Sequence, residues 1–212
     1  MFEYIKVPEE IEKRSFEIIE DEMGESVHKF SEKELPIIKR VIHTSGDFEY
    51  SELLEFHNNA IELGIEALRE GYDIYCDTKM IVSGLSKAAL NSFNIEAYSL
   101  ISDSEVATIA KAKGVTRSIA GIEKAAQNEK TKIYIIGNAP TALFRLKELI
   151  ESNEIEKPRL IIGVPVGFVG AEESKRIFVD TDIPYITVKG RKGGSTIAVS
   201  ILHGLLYQIY KR

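Results

Sequence analysis

Three short apolar runs in the second half of the chain share one rhythm. Lys132-Ile-Tyr-Ile-Ile-Gly137, Arg159-Leu-Ile-Ile-Gly-Val164 and Pro184-Tyr-Ile-Thr-Val188 are each followed by a turn-rich, Gly-bearing stretch and then by a helical pattern. Short Ile- and Val-rich runs bounded by Gly and Pro predict buried strands. Their repetition as strand–loop–helix units predicts an α/β fold, a mostly parallel sheet with helices on both faces. In such a sheet every strand-to-helix loop leaves at the carboxyl edge. The loops Gly137-Asn-Ala-Pro-Thr141, Gly163–Gly170 and Lys189–Ser195 therefore fall together there. Asp73–Cys76 and Glu96–Ile101 read as two further strands.

Helical periodicity fills most of the remainder. Val7-Pro-Glu-Glu10 opens a helix with Pro and acids in its first turn, and its apolar line of Ile11, Ser15, Ile18 and Ile19 puts Ser15 on the buried face. Ser31-Glu-Lys-Glu34 spells a capping box for a second helix that runs to about Ile42 and is ended by His43-Thr-Ser-Gly46. His57–Glu70 reads as a third helix closed by Gly71, and Thr78–Gly84, Asp103–Lys113 and Arg117–Gln127 as others. The last, about Gly194–Tyr210, is apolar along two lines: Ile197, Ile201, Leu205 and Leu202, Leu206, Ile209. That coverage is wider than one sheet face needs, and the surplus predicts a homodimer. Met23 and Met80 read as core. With no repeat, low-complexity segment or linker, residues 1–212 read as a single domain.

Composition narrows the function classes. At 44% apolar the chain can bury a substantial core. A net charge of −6 leaves no basic surplus for phosphate neutralisation, so no nucleic-acid partner is expected. No apolar run is long enough to span a bilayer, and the start Met1-Phe-Glu-Tyr-Ile-Lys6 lacks the pattern of a signal peptide. One cysteine, Cys76, excludes an internal disulfide and any multi-cysteine metal site. A cytoplasmic location with no membrane partner is the expectation.

Three constellations carry candidate chemistry. Arg40-Val-Ile-His43 places both side chains on one helix face, with His43 in the last turn, where the dipole favours imidazolium and Arg40 opposes it. His43 is then either a proton donor poised near neutral pH or a helix-capping histidine beside a solvated arginine. Lys189-Gly-Arg-Lys-Gly-Gly-Ser195 sets three cations and three glycines before a helix that Ser195 could cap. It matches neither the Walker nor the dinucleotide spacing, and anion binding is favoured over a solvated turn. In Gly163–Gly170, Phe168 and Val169 stand between Gly167 and Gly170. Two readings stay open there: contact with a flat, partly apolar ligand, or a tight turn that tucks Phe168 into the core. His28, His57 and His203 have no partner at metal-ligand spacing, so no metal site is expected.

Arg40-Val-Ile-His-Thr-Ser-Gly46, Ile136-Gly-Asn-Ala-Pro-Thr-Ala-Leu143, Gly163-Val-Pro-Val-Gly-Phe-Val-Gly-Ala-Glu-Glu-Ser174 and Pro184–Ser195 together resemble the precorrin-8X and cobalt-precorrin-8 methylmutases of cobalamin biosynthesis. The resemblance runs from about Ser15 to the last helix. It implies a homodimeric α/β isomerase that moves a methyl group from C11 to C12 of a polycarboxylate corrin precursor, giving hydrogenobyrinate or cobyrinate, with no organic cofactor. It implies His43 as the proton donor and Ser15, Arg40 and Arg117 as substrate contacts. At Ser86, within Ser83-Gly-Leu-Ser-Lys87, the chain has serine where the family pattern has threonine. Gly167, Phe168, Arg191, Lys192 and Gly193 fit a flat ring edged with carboxylates. A corrinoid carrier without turnover and an S-adenosylmethionine-dependent methyltransferase are the competing expectations.

Overall fold

The computed structural model describes residues 4–211. Met1, Phe2 and Glu3, on which part of the signal-peptide reading rests, lie outside the described residues. The strands are β1 Leu54–His57, β2 Asp73–Cys76, β3 Ala97–Tyr98, β4 Thr131–Ile136, β5 Leu160–Gly163 and β6 Tyr185–Val188, in the sheet order β1-β6-β5-β4-β2-β3. From β3 to β6 all neighbours are parallel, and β1 closes one edge antiparallel to β6. The helices are α1 Pro8–Met23, α2 Leu35–Ser45, α3 Tyr50–Leu53, α4 Ala60–Arg69, α5 Lys79–Gly84, α6 Lys87–Ser92, α7 Ser104–Lys113, α8 Arg117–Ala125, α9 Pro140–Glu151, α10 Ala171–Arg176 and α11 Ser195–Leu206.

Strand alternation divides the two sheet faces between two cores, and a third, small cluster of Val106, Ala110 and Ala120 joins α7 to α8. Ile133 and Ile135 of β4 join the larger core beneath α1, α2, α4, α5, α6 and α11. Tyr134 and Ile136 join the core beneath α8, α9 and the 177–179 segment that follows α10. Helices cover both faces, as the sequence predicts. The chain leaves β2 for β3 through α5 and α6, then returns past β2 to β4 through α7 and α8. Strand order reverses between β2 and β4, so the topological switch point lies there.

The C-terminal helix is not a surplus surface. Ile197, Ile201, Leu202, Leu205 and Leu206 are all buried within the one chain, because α11 lies between the sheet and α2. Gly204 permits that contact: a Cβ there would stand 2.8 Å from the Cα of Ile37. The sequence argument that draws a dimer from this helix is therefore overturned.

Four local expectations also change. His57–Glu70 is not one helix. Leu54–His57 is the edge strand β1, and Asn58 and Asn59, with φ of 56° and 54°, turn the chain into α4. The strand expected over Glu96–Ile101 pairs only at Ala97 and Tyr98, and α6, which starts at Lys87, has no counterpart in the periodicity. On α1 it is Ile19 and Met23 that bury, while Ile11 and Ile18 stay exposed and Ser15 is half-buried, because α1 packs chiefly on α2. Met80, expected in the core, is 63% exposed in the first turn of α5. The capping box at Ser31 and Glu34 does form, with reciprocal bonds of 2.8 and 3.2 Å, and α2 extends to Ser45 before Gly46 ends it in the left-handed conformation.

Candidate active site

The carboxyl edge of the sheet gathers most of the candidate residues. His43 sits in the last turn of α2 with its side chain exposed. Its ring meets Phe16 of α1 edge to face, 5.4 Å between centroids. The Arg40 guanidinium lies 5.3 Å from the same Phe16 ring and 4.7 Å from the ring of Tyr207. Arg40 and His43 do share a face, and Phe16 is the surface they share. Glu12 pairs with Arg40 at 3.1 Å and so offsets the cation beside His43. Ser15 is next to Phe16 on α1, and its hydroxyl donates to the Ile11 carbonyl at 2.8 Å.

Arg40 and Thr44 also line a cleft of about 210 Å³ with Met80, Ser195, Thr196 and His203. Two helix N-termini meet at this cleft. The Thr78 hydroxyl accepts the Ile81 N–H, capping α5, and stands 3.0 Å from the Ser195 hydroxyl. Ser195 therefore does not cap α11; Gly194 occupies the cap position and gives no side-chain bond. Ser86 caps α6, accepting the Ala89 N–H at 3.4 Å, and its own N–H donates to Nε2 of His203 at 3.1 Å. Accepting that bond leaves Nε2 without a proton.

The loops after β5 and β6 form the other side. The Gly167 N–H donates to the Arg191 carbonyl at 3.2 Å, and the Gly194 N–H to the Val164 carbonyl at 2.8 Å. The second contact requires glycine at 193, where a Cβ would lie 2.2 Å from the Val164 oxygen. Phe168 is 83% and Val169 91% exposed, so the core reading of this turn is wrong. The Arg191 guanidinium stands 5.3 Å from the Phe168 ring.

The three cations of this loop are not equivalent. Lys189 pairs with Glu55 at 3.2 Å. Lys192 binds both Asp47 and Glu49, just beyond the α2 exit. That pairing holds the Asp47 carboxyl below its ordinary range and raises Lys192. Among the described residues, Arg191 has no carboxylate at ion-pair distance, and it is the cation left for a ligand.

Arg117 stands apart, exposed at the first position of α8. The Thr116 hydroxyl lies 3.1 Å from that of Thr141 at the start of α9, which places Arg117 at the same sheet edge but on the far face. It borders a hollow of about 920 Å³ with Lys111 and Val115. That hollow is larger than the cleft at Arg40 but is lined by Arg117 alone of the candidate residues, whereas the smaller cleft is lined by Arg40, the i−3 neighbour of His43, so the smaller cleft is the better site.

The family model described as precorrin-8X methylmutase matches residues 10–208. The chain belongs to the precorrin-8X methylmutase family. As a methylmutase it is an isomerase of cobalamin biosynthesis. It is 47% identical to the cobalt-precorrin-8 methylmutase of Leptospira interrogans, over 95% of this chain and 94% of that one. It is 34% identical to the precorrin-8X methylmutase of Pseudomonas aeruginosa, over 97% of this chain and 98% of that one. The crystal structure of precorrin-8X methylmutase from Thermus thermophilus superposes with a TM-score of 0.85 at 39% identity, covering 94% of this chain and 95% of that chain.

Two buried charges in this methylmutase escape the sequence reading. Asp77, directly after β2, accepts the N–H groups of Gly137, Asn138 and Ala139 at 2.9, 2.9 and 2.7 Å. Burial raises its carboxyl, against the pull of those three donors. These backbone N–H groups of the Gly137 loop are thus taken by an internal carboxylate, at the switch point where ligands dock in open α/β sheets. Lys175 of α10 is the second. It is 2% exposed, and burial pushes its ammonium down to about 8. A local signal exists only for Asp77, an acid directly after a fully buried strand.

Proposed function

We propose that the protein converts cobalt-precorrin-8 to cobyrinate by an intramolecular shift of one methyl group from C11 to C12, with His43 as the proton donor. The observation that carries this reading is the meeting of Arg40 and His43 on the ring of Phe16, with Arg40 also lining the cleft that holds Ser195 and Thr196. His43 lends a proton to the conjugated macrocycle, the C11–methyl bond breaks as the C12–methyl bond forms, and the proton is returned. Substrate and product then have the same formula, and no leaving group or water is consumed. The higher identity to the cobalt-named relative supports the cobalt form as substrate.

The remaining residues bind and orient. Arg40, Arg117 and Arg191 meet ring carboxylates, Phe168 covers the flat face beside Gly167, and Gly193 keeps the loop backbone close. Ser15 and Ser86 border the bound edge, and Lys192 acts through its bonds to Asp47 and Glu49. Holding the macrocycle rigid, with C11 and C12 facing one donor, supplies much of the rate gain in such a reaction. Among the described residues no helix is long and apolar enough to cross a membrane, and the reading takes the enzyme to be cytoplasmic. It also takes the enzyme to be a homodimer with its sites near the interface; the exposed Phe168 and Val169 beside Arg191 support this, since a second subunit would shield them and exclude water from the ring.

Anaerobic incubation with cobalt-precorrin-8, followed by absorbance, tests the activity. Conversion to the cobyrinate spectrum is expected. Tight binding with no spectral conversion would make the protein a carrier instead.

A further inference from the structure

Lys175 is the buried charge that the reaction itself does not use. Its Nζ donates to the Lys192 carbonyl at 2.8 Å. Its own carbonyl accepts the Tyr185 hydroxyl at 3.0 Å, from the core side of β6. The ammonium therefore bridges α10 to the loop that follows β6. The backbone bonds from Gly167 to Arg191 and from Gly194 to Val164 hold the same loop on either side of that point. Three anchors within four residues result, at Arg191, Lys192 and Gly194. With its carbonyl fixed, Arg191 turns its guanidinium to Phe168, while Lys192 reaches Asp47 and Glu49 beyond the helix that carries His43.

A neutral donor would satisfy the Lys192 carbonyl without the cost of burying an ion. Glu172, on the same helix, acts on Lys175 only through space, and among the described residues no carboxylate stands at ion-pair distance from its ammonium. An uncompensated cation thus lies directly beneath a glycine-rich loop whose outer cation, Arg191, is also unpaired. That is an arrangement for an anionic ligand, and it explains why a charge is used where a hydrogen bond alone would suffice.

We propose that Lys175 is a positioning residue for substrate binding: its buried ammonium fixes the Arg191–Gly194 backbone so that Arg191 meets a substrate carboxylate, and it adds positive potential to that contact. The inference rests on the methylmutase reading above.

Lys175→Met keeps the length of the stem and removes donor and charge. Steady-state kinetics with cobalt-precorrin-8 should show KM raised about tenfold with kcat changed less than about twofold, the signature of lost binding rather than lost chemistry. Amide hydrogen exchange without substrate should be faster at Gly167 and Gly194 in the variant, because the acceptor of the first, the Arg191 carbonyl, and the donor of the second, the Gly194 N–H itself, sit on the loosened segment. An unchanged KM, or a loss in kcat at constant KM, would overturn the proposal. If Lys175→Met does not fold, Lys175→Arg carries the same KM-against-kcat test with the cation retained and its geometry altered. If the wild-type protein converts no precursor, the functional reading fails separately, and unchanged protection at Gly167 and Gly194 would then overturn the positioning role on its own.

Discussion

Phe16 and His43 meet edge to face at 67° between ring planes, and the same Phe16 ring carries the Arg40 guanidinium. A single half-buried side chain of α1 thus sets the imidazole and the cation relative to each other. Phe16→Leu keeps an apolar contact with the core and removes the ring. We expect kcat/KM to fall about tenfold with stability lowered by only about 1 kcal/mol, since ring–cation and edge contacts are each worth about that much. Kinetics alongside urea unfolding would check this; activity equal to wild type would show that Phe16 does not orient the pair.

Arg191 and Lys192 are neighbours with different duties. Lys192 is already held by Asp47 and Glu49, whereas Arg191 faces only Phe168 among the charged and aromatic groups described. Arg191→Gln should raise KM about 10- to 100-fold, the loss of one charge-assisted bond to a carboxylate, while Lys192→Gln should raise it by less than about threefold. Both KM values measured at two salt concentrations decide the matter. A larger effect at Lys192 would reverse the assignment.

Asp77 should govern stability rather than chemistry. Asp77→Ala leaves three N–H groups at the switch point without their acceptor, and each such loss costs about 1–3 kcal/mol. A total of about 3 kcal/mol or more is expected from urea unfolding, with the Thr78–Ser195 contact loosened as a consequence. A loss below about 1 kcal/mol would mean that water replaces the carboxylate without penalty.

How much of this was readable in the sequence depends on the range of each interaction. Strands β4, β5 and β6 announce themselves because both of their faces are buried, so each is a continuous apolar run. β1 does not. Leu-Glu-Phe-His is too short to show alternation, merges into the periodicity of α4, and becomes a strand only by pairing with Val188 to Tyr185 at the far end of the chain. Arg40 and His43 could be paired from their spacing of three, a local fact. The neutralisation of Lys192 could not, because Asp47 lies 145 residues away in sequence. Asp77 carries a local signal, an acid directly after a fully buried strand, but its role does not show in the sequence, because the donors that explain it begin 60 residues later.

Lys175 gives the protein a distinctive pH dependence. The native ammonium, pushed down to about 8 by burial, loses its proton well before the unfolded chain does, near 10.5. Between those values the unfolded state binds more protons, so stability rises with pH there. Relative to Lys175→Met, wild type should therefore gain stability from about pH 8 to about pH 10.5 and show no change between pH 6 and 7. Urea midpoints of both proteins across this range test it; a difference independent of pH would place the native ammonium at its ordinary value.

The proposed function rests on His43 protonating a corrin precursor held at the carboxyl edge. Its most direct test is the anaerobic conversion of cobalt-precorrin-8 by wild type and by His43→Ala, followed by absorbance under single-turnover conditions with binding measured in parallel. Conversion by wild type is expected, with a rate lowered about a hundredfold or more in the variant and substrate affinity nearly unchanged, the loss expected of a general acid. A His43→Ala enzyme that converts the precursor at close to the wild-type rate would contradict it.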